Sequence, residues 1–287
     1  MMNYPKATLK EYGFHEYKLL KILWRITKNL INIFSIFMLY ISIVIIAIQS
    51  FNSSASTTEF TGFSFQNYIN MFSKDSLNSS IINTFMVSIV ATLIAAVLGT
   101  LIAVGIFYLP SKLKNRILLL NNIPLLNADI VTGISLMLIF SLFLPINNYL
   151  FGFWTILISH IFFILPYIIL SVLPKMKEMD PNLMDAALDL GVKPFKSILK
   201  VIVPAVRGGI FSGVVLAFTI SFEDFVVGYF TTGNGFNTLS IWIYSSIGRK
   251  SLFPGVYAFS TLLTLITMML VVGYYFVKGG RSNEKKH

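Results

Sequence analysis

Three carboxylates stand where hydrocarbon should surround them: Asp129, and the adjacent pair Glu223 and Asp224. Most of the twelve acidic residues fall in polar connections, but these three interrupt long apolar runs. A charge at the centre of a bilayer costs roughly 2.5–3.5 kcal/mol on insertion scales, so such a group faces a cavity or a partner. Neighbours on a helix point about 100° apart, so at most one of Glu223 and Asp224 faces a narrow path directly. Two kinds of chemistry are open to these groups. They can match the charges of a cation, or they can hydrogen-bond to pin a kinked helix. Phe222, Phe225, Tyr229 and Trp154 could add ring faces for cation–π contact and methylene packing. Aromatics are 15% of the chain, however, and most must face lipid.

Other candidates are weaker. His160 has no His, Cys or acid beside it at metal-ligand spacing and reads as a helix–helix hydrogen-bonding residue. Gly233-Asn234-Gly235 reads as a turn, because no phosphate-binding helix pattern follows it. The chain has no cysteine, which removes disulfide and thiol chemistry. The signature G-x-x-x-x-G-K-[ST] is absent from the sequence, so no P-loop ATPase site is expected. Nor does the sequence cluster the His, Asp or Ser nucleophiles that a membrane-embedded enzyme would require.

The elements that must position these groups are membrane spans. Hydrophobic residues make up 55% of the chain, charged residues 12%, and the mean hydropathy is +0.76. Soluble domains carry about 25% charged residues. Apolar runs predict six spans near 30–50, 81–108, 117–144, 151–173, 207–230 and 254–277, each matching the ~20 residues that cross a ~30 Å core. The third is interrupted by Pro124, Asn127, Asp129 and Gly133, which predicts a kink around a cavity or a partner. The first is too long for the apolar stretch of a signal peptide and is expected to stay as an anchor.

The net charge of +10 is a topology signal. With both termini inside, nineteen of the 22 basic residues fall on the cytoplasmic side, leaving Lys74, Arg249 and Lys250 outside. That distribution suits anionic lipid headgroups and gives no reason to expect nucleic acid. The expected organisation is a cytoplasmic arm (1–29), one membrane domain (30–277) and a cytoplasmic tail (278–287). The first helix would be an appendage to a five-helix core. Residues 51–80 form the larger outer loop, flexible around Ser53–Thr58. A second outer loop carries Trp242, Tyr244, Arg249 and Lys250.

The longest inner segment, 174–206, predicts two short helices. Asp180 is the expected N-cap, Pro181 the first helical residue and Gly191 the C′ terminator. Leu183, Met184, Ala187 and Leu188 recur at helical spacing, with Asn182, Asp185 and Asp189 on a polar face. Pro194 opens the second helix, Phe195 to Ile202, and Pro204 is expected to end it. Small residues at Ala186, Ala187 and Gly191 would let another surface approach closely.

Asp185-Ala186-Ala187, Gly191, Val201-x-Val203 and Pro204 resemble, at intact spacing, the E-A-A-x3-G-x9-I-x-L-P pattern of bacterial ABC importer permeases. Glu is replaced by Asp, Ile by Val and Leu by Val. Gly152-Phe153-Trp154 through His160 to Pro166, Asp129-Ile130-Val131 and Ser221 to Val227 resemble the C-type permeases of spermidine/putrescine importers. The resemblance implies an all-α membrane protein with six transmembrane helices, the type I ABC importer permease fold and a cytoplasmic coupling helix. It implies a half-transporter that pairs with a B-type permease and two copies of a cytoplasmic ATPase. An external polyamine-binding protein would deliver the solute. Asp185, Ala186, Ala187, Gly191 and Pro204 would form the ATPase-coupling segment, and Asp129, Glu223, Asp224, Trp154, Phe222 and Tyr229 the substrate pathway. ATP and Mg would sit on the partner ATPase, with no cofactor on this chain, and transport would proceed by alternating access. The alternative in the same class is a permease for a different small solute. A stand-alone channel or an ion-coupled carrier would need no coupling segment of this pattern.

Overall fold

The computed structural model describes residues 14–54, 59–143, 151–180, 182–233, 235–247 and 253–283. Lys6, Lys10, Pro181, Arg249 and Lys250 lie outside the described residues. The described secondary structure is helical apart from one isolated bridge between Asn52 and Phe63. In chain order the helices are α1 (Phe14–Ser50), α2 (Gln66–Asn70), α3 (Asp75–Phe107), α4 (Ser111–Leu126), α5 (Asp129–Ser141), α6 (Phe153–Glu178) and α7 (Leu183–Asp189). They continue as α8 (Pro194–Ser197), α9 (Val203–Ala205), α10 (Arg207–Glu223), α11 (Val226–Thr231), α12 (Leu239–Ile247) and α13 (Gly255–Asn283).

The chain divides into two compact units, one made of residues up to 71 with those from 251 onward, the other of residues 72–250. In the first unit α1 packs against α13, and α2 also touches α13. α1 begins at Phe14, well inside the segment expected as an arm, and its apolar stretch runs from Leu20 to Ser50. Beyond it the buried Asn52 ties the connection together. Its Nδ2 donates to the Glu59 carbonyl (2.8 Å), and its Oδ1 accepts from the Ser54 and Thr61 N–H groups (3.1 Å each).

The second unit is built on small residues at every fourth position. On α3 these are Ala91, Ala95, Gly99 and Ala103, and on α10 Gly209, Gly213, Ala217 and Ser221, all of them buried. Such stripes bring helix backbones close where lipid supplies no hydrophobic drive between helices. Both stripes lie on α6. A Cβ added to Gly99 would stand 2.7 Å from Ile168 Cγ2, one on Gly213 3.2 Å from Ile168 Cα, and one on Gly209 2.7 Å from the Ser171 carbonyl oxygen. A Cβ on Gly208 meets nothing within 4 Å. Gly209→Ala is therefore expected to destabilise the protein by about 1–3 kcal/mol through overpacking, whereas Gly208→Ala is neutral or better. Thermal melting of the two purified variants in detergent checks this, and equal melting temperatures would contradict it. Several helix hydroxyls return their hydrogen bonds to the preceding turn, as Thr84 does to Ser80 (2.8 Å) and Ser159 to Thr155 (2.7 Å), whereas those of Ser88, Thr92 and Thr100 on α3 are buried with no partner among the described residues.

Among the described residues, three helices are long and apolar enough to cross a membrane in one piece: Leu20–Ser50, Asp75–Phe107 and Phe153–Glu178. Two of the six expected spans are broken. The 117–144 run divides into α4 and α5, bent by 104° at Asn127 and Ala128, whose backbones are extended. Pro124 has already removed one N–H from that last turn. The 207–230 run, expected as one helix, stops at Glu223, takes an extended residue at Asp224 and restarts as α11. All but the first residue of the 254–277 run falls within α13, whose shorter apolar part is Gly255–Met269. Trp242 and Tyr244, expected in a loop, lie on the helix α12, with Trp242 buried against α3 and donating to Ser76 Oγ (3.2 Å).

Candidate functional site

The two broken spans meet. α5 and α11, the half-helices that follow each break, pack together; the Gly133 backbone approaches so closely that a Cβ there would lie 3.3 Å from Val227 Cα. Each half-helix starts with an acid: Asp129 is the first residue of α5, and Asp224 precedes α11. Helix N-termini favour negative charge, which offsets part of the cost of placing carboxylates at this depth. Asp129, Glu223 and Asp224 line one cavity of about 340 Å³, with Phe163 and Tyr167 of α6 and Phe225 completing its wall. That assembles three of the six residues expected along a solute pathway.

The other three stand outside the lining. Trp154 is 67% exposed on the first turn of α6 and touches Phe153. Phe222 packs between Phe85 and Phe218. Tyr229 joins Phe225 and Tyr244 in a cluster with ring centroids 4.8–5.6 Å apart. Phe163 and Tyr167 were missed by sequence reasoning. Their spacing of four residues on one face of α6, one turn from His160, was the available signal.

The carboxylates differ in their surroundings. The Asp224 side chain is 8% exposed. Its Oδ2 accepts the Gly228 N–H (2.8 Å) and its Oδ1 the Val227 N–H (3.3 Å), so it caps the first turn of α11. Glu223 is exposed and accepts no hydrogen bond from a described residue. Behind Asp224 lies His160, 1% exposed, with Nδ1 2.7 Å from Ser221 Oγ and Nε2 3.6 Å from Asp224 Oδ2. The helix–helix bond expected of His160 is present. The acid that seemed lacking arrives from 64 residues further along the chain.

Asp, His and Ser are thus gathered, contrary to the expectation that the chain clusters no such groups. A hydrolytic triad presents its serine on the Nε2 side with room for a substrate. Here Ser221 sits on the Nδ1 side and is 1% exposed, so its hydroxyl is no accessible nucleophile. Among the described residues no group of three His, Asp or Glu side chains is placed to hold a metal.

The 174–206 segment forms a second candidate surface. α7 ends in a Schellman motif: Val192 N–H donates to the Ala187 carbonyl (3.1 Å) and Gly191 N–H to that of Leu188 (2.8 Å), with Gly191 at φ +78°. The N-cap is Asn182 rather than Asp180, whose Oδ1 instead accepts the Asn182 N–H (2.9 Å) in a turn before the helix. Pro204 does not end the second helix. The chain runs from α8 through a π-helical turn (Ile198–Ile202) and α9 to Ala205, because a widened turn absorbs the missing N–H and the ring. It then bends 77° into α10. Ala187 is buried, while Asp185, Ala186, Leu188, Leu190 and Phe195 are exposed. The result is a short helix with a largely apolar outer face and an acid on its first turn.

Long apolar helices, two of them broken around an acid-lined cavity, define a multi-pass membrane transport component. Residues 95–279 match the family model described as the binding-protein-dependent transport system inner membrane component. The chain belongs to this family of ABC importer permeases. It is similar to the spermidine/putrescine transport system permease protein PotC of Escherichia coli K12, 32% identical over 74% of this chain and 78% of that one. It is similar to the PotC homolog of Mycoplasma genitalium, 32% identical over 66% of each chain. The putrescine permease PotI of E. coli K12 is 33% identical over 49% of this chain and 50% of its own. In fold it resembles a bacterial ABC transporter involved in import of the acidic polysaccharide alginate, at TM-score 0.65, 14% identity, 91% coverage of this chain and 98% of that one.

Proposed function

We propose that this chain is the membrane-spanning subunit of an ATP-driven importer of spermidine- and putrescine-type polyamines. The observation that carries the substrate class is the cavity in which Asp129, Glu223 and Asp224 stand with Phe163, Tyr167 and Phe225. A polyamine has ammonium groups on an apolar chain, and these side chains offer carboxylates for the charges and rings for the methylenes. The similarity to polyamine permeases adds independent support. The alginate transporter has a similar fold, so fold alone does not select the solute and the acids must.

The remaining parts follow from that reading. Both termini lie in the cytoplasm, as the basic residues favour. A B-type permease supplies the other half of the pathway, and two ATPase subunits, which hold ATP and Mg, dock on the 174–206 segments. α7, with Asp185, Ala186 and Ala187 and the turn at Gly191, is the coupling helix. Val203 and Pro204, within α9, belong to the same coupling segment. A polyamine-binding protein delivers the solute from outside, and the broken spans change angle as access alternates.

Uptake of radiolabelled spermidine and putrescine tests the proposal, in cells lacking their own polyamine importers and expressing this chain with its genomic neighbours. Saturable, ATP-dependent uptake is expected. An assembled complex that takes up neither would overturn the substrate class and leave only a permease for another solute.

A further inference from the structure

We infer that His160 is a positioning residue: through Asp224 it fixes the break in the 207–230 span and so turns Glu223 toward the cavity. Four observations meet there. The Asp224 carboxylate is occupied by the Val227 and Gly228 N–H groups and nearly buried, whereas the next residue back, Glu223, is exposed at the cavity. His160 is anchored on the far side by Ser221, one of the small residues of α10, at 2.7 Å. Its remaining nitrogen, Nε2, is buried, has no hydrogen-bond partner and faces Asp224 Oδ2 at 3.6 Å. Gly228 leaves the space, since a Cβ there would stand 3.1 Å from Asp224 Oδ2 and 3.8 Å from His160 Nε2.

A buried polar nitrogen without a partner is costly, so its direction needs a reason. With the Ser221 hydroxyl donating to Nδ1, the ring proton sits on Nε2 and its positive end points at the carboxylate. That dipole favours a carboxylate held in one place, against α11, over one that swings into the cavity. Adjacent residues diverge along the chain, so securing Asp224 on the buried side leaves Glu223 on the open side. The two acids then do different work. Asp224 holds the break and Glu223 meets the cation, a division that rests on the cavity being the solute path.

The chain lacks cysteine, so label recovered on this chain, once it is separated from its partner subunits, reports the one introduced thiol. The full complex carrying Glu223→Cys is treated with an ethylammonium methanethiosulfonate, and the labelling rate is compared with that of Phe222→Cys. No solute is needed, so the result stands whether or not polyamine is the substrate. Thiol reactivity follows exposure, and position 223 is expected to label about tenfold faster than position 222. His160→Leu or Ser221→Ala should shrink that ratio to about twofold or less, because the break loses its fixed orientation. His160→Gln, which keeps a donor directed at Asp224, should preserve most of it. Ser221→Ala adds no volume, so it carries the test should His160→Leu fail to assemble. An unchanged ratio in Ser221→Ala and His160→Leu would overturn the inference, as would equal loss in His160→Gln and His160→Leu.

Discussion

Glu223→Gln combined with Asp129→Asn is expected to lower spermidine uptake about a hundredfold or more while the complex still assembles. Both acids line the cavity, and neither caps a helix through a side-chain bond as Asp224 does. Their charges are therefore available to a ligand. Losing one charged partner of a desolvated pair costs about 2–5 kcal/mol, and about 1.4 kcal/mol is tenfold, so each single variant should lose at least tenfold. Asp75, in the first turn of α3, lies outside the cavity lining, and Asp75→Asn should stay within about twofold of wild type as a charge control. Initial uptake rates, normalised to the ATPase that co-purifies, give the answer. Uptake undiminished in the double variant would mean that the cavity is not the solute path.

Asp185→Lys is expected to reduce uptake about tenfold or more by a different route, with solute-stimulated ATP hydrolysis lost in parallel. Asp185 is exposed on the first turn of α7, beside exposed Ala186 and away from the buried Ala187. Reversing a charge at a helix N-terminus costs only about 0.3–1 kcal/mol of helix stability, so α7 and its Schellman turn persist. What changes is the surface offered to the ATPase. The diagnostic pattern is an unchanged melting temperature of this chain with less ATPase retained on purification. Normal uptake with normal ATPase retention would remove Asp185 from the docking surface.

Local patterns in this chain are legible and long-range ones are not. The turn at Gly191 follows from the sequence, because a glycine after a short apolar-periodic stretch supplies the left-handed residue a Schellman motif needs. The kink near Pro124 is legible for a similar reason, since a missing N–H has only local remedies. The break at Asp224 is not. Ser-Phe-Glu-Asp-Phe suits a helix; the bonds from the N–H groups three and four residues on are a local cap, but the imidazole from α6 that faces Asp224 comes from 64 residues away and leaves no mark on the local sequence. Pro204 misleads because a π turn can absorb a proline that would otherwise end the helix. Composition also could not sort the aromatics. Phe163 and Tyr167 reach the cavity and Trp154 does not, which depends on how α6 is rotated against the small-residue stripes of α3 and α10. Those stripes, with Ala, Gly or Ser at every fourth position, were readable in the sequence and would have set that rotation.

The most direct test of the central claim is ATP-driven spermidine accumulation in proteoliposomes. They would hold this chain with its permease partner, ATPase and binding protein, and each solute would be compared at equal concentration. The account predicts accumulation of spermidine and putrescine that stops without ATP, with no accumulation of an acidic oligosaccharide, and that falls steeply in Glu223→Gln. Accumulation of a neutral or acidic solute in place of polyamines would contradict it, as would polyamine transport indifferent to the cavity carboxylates.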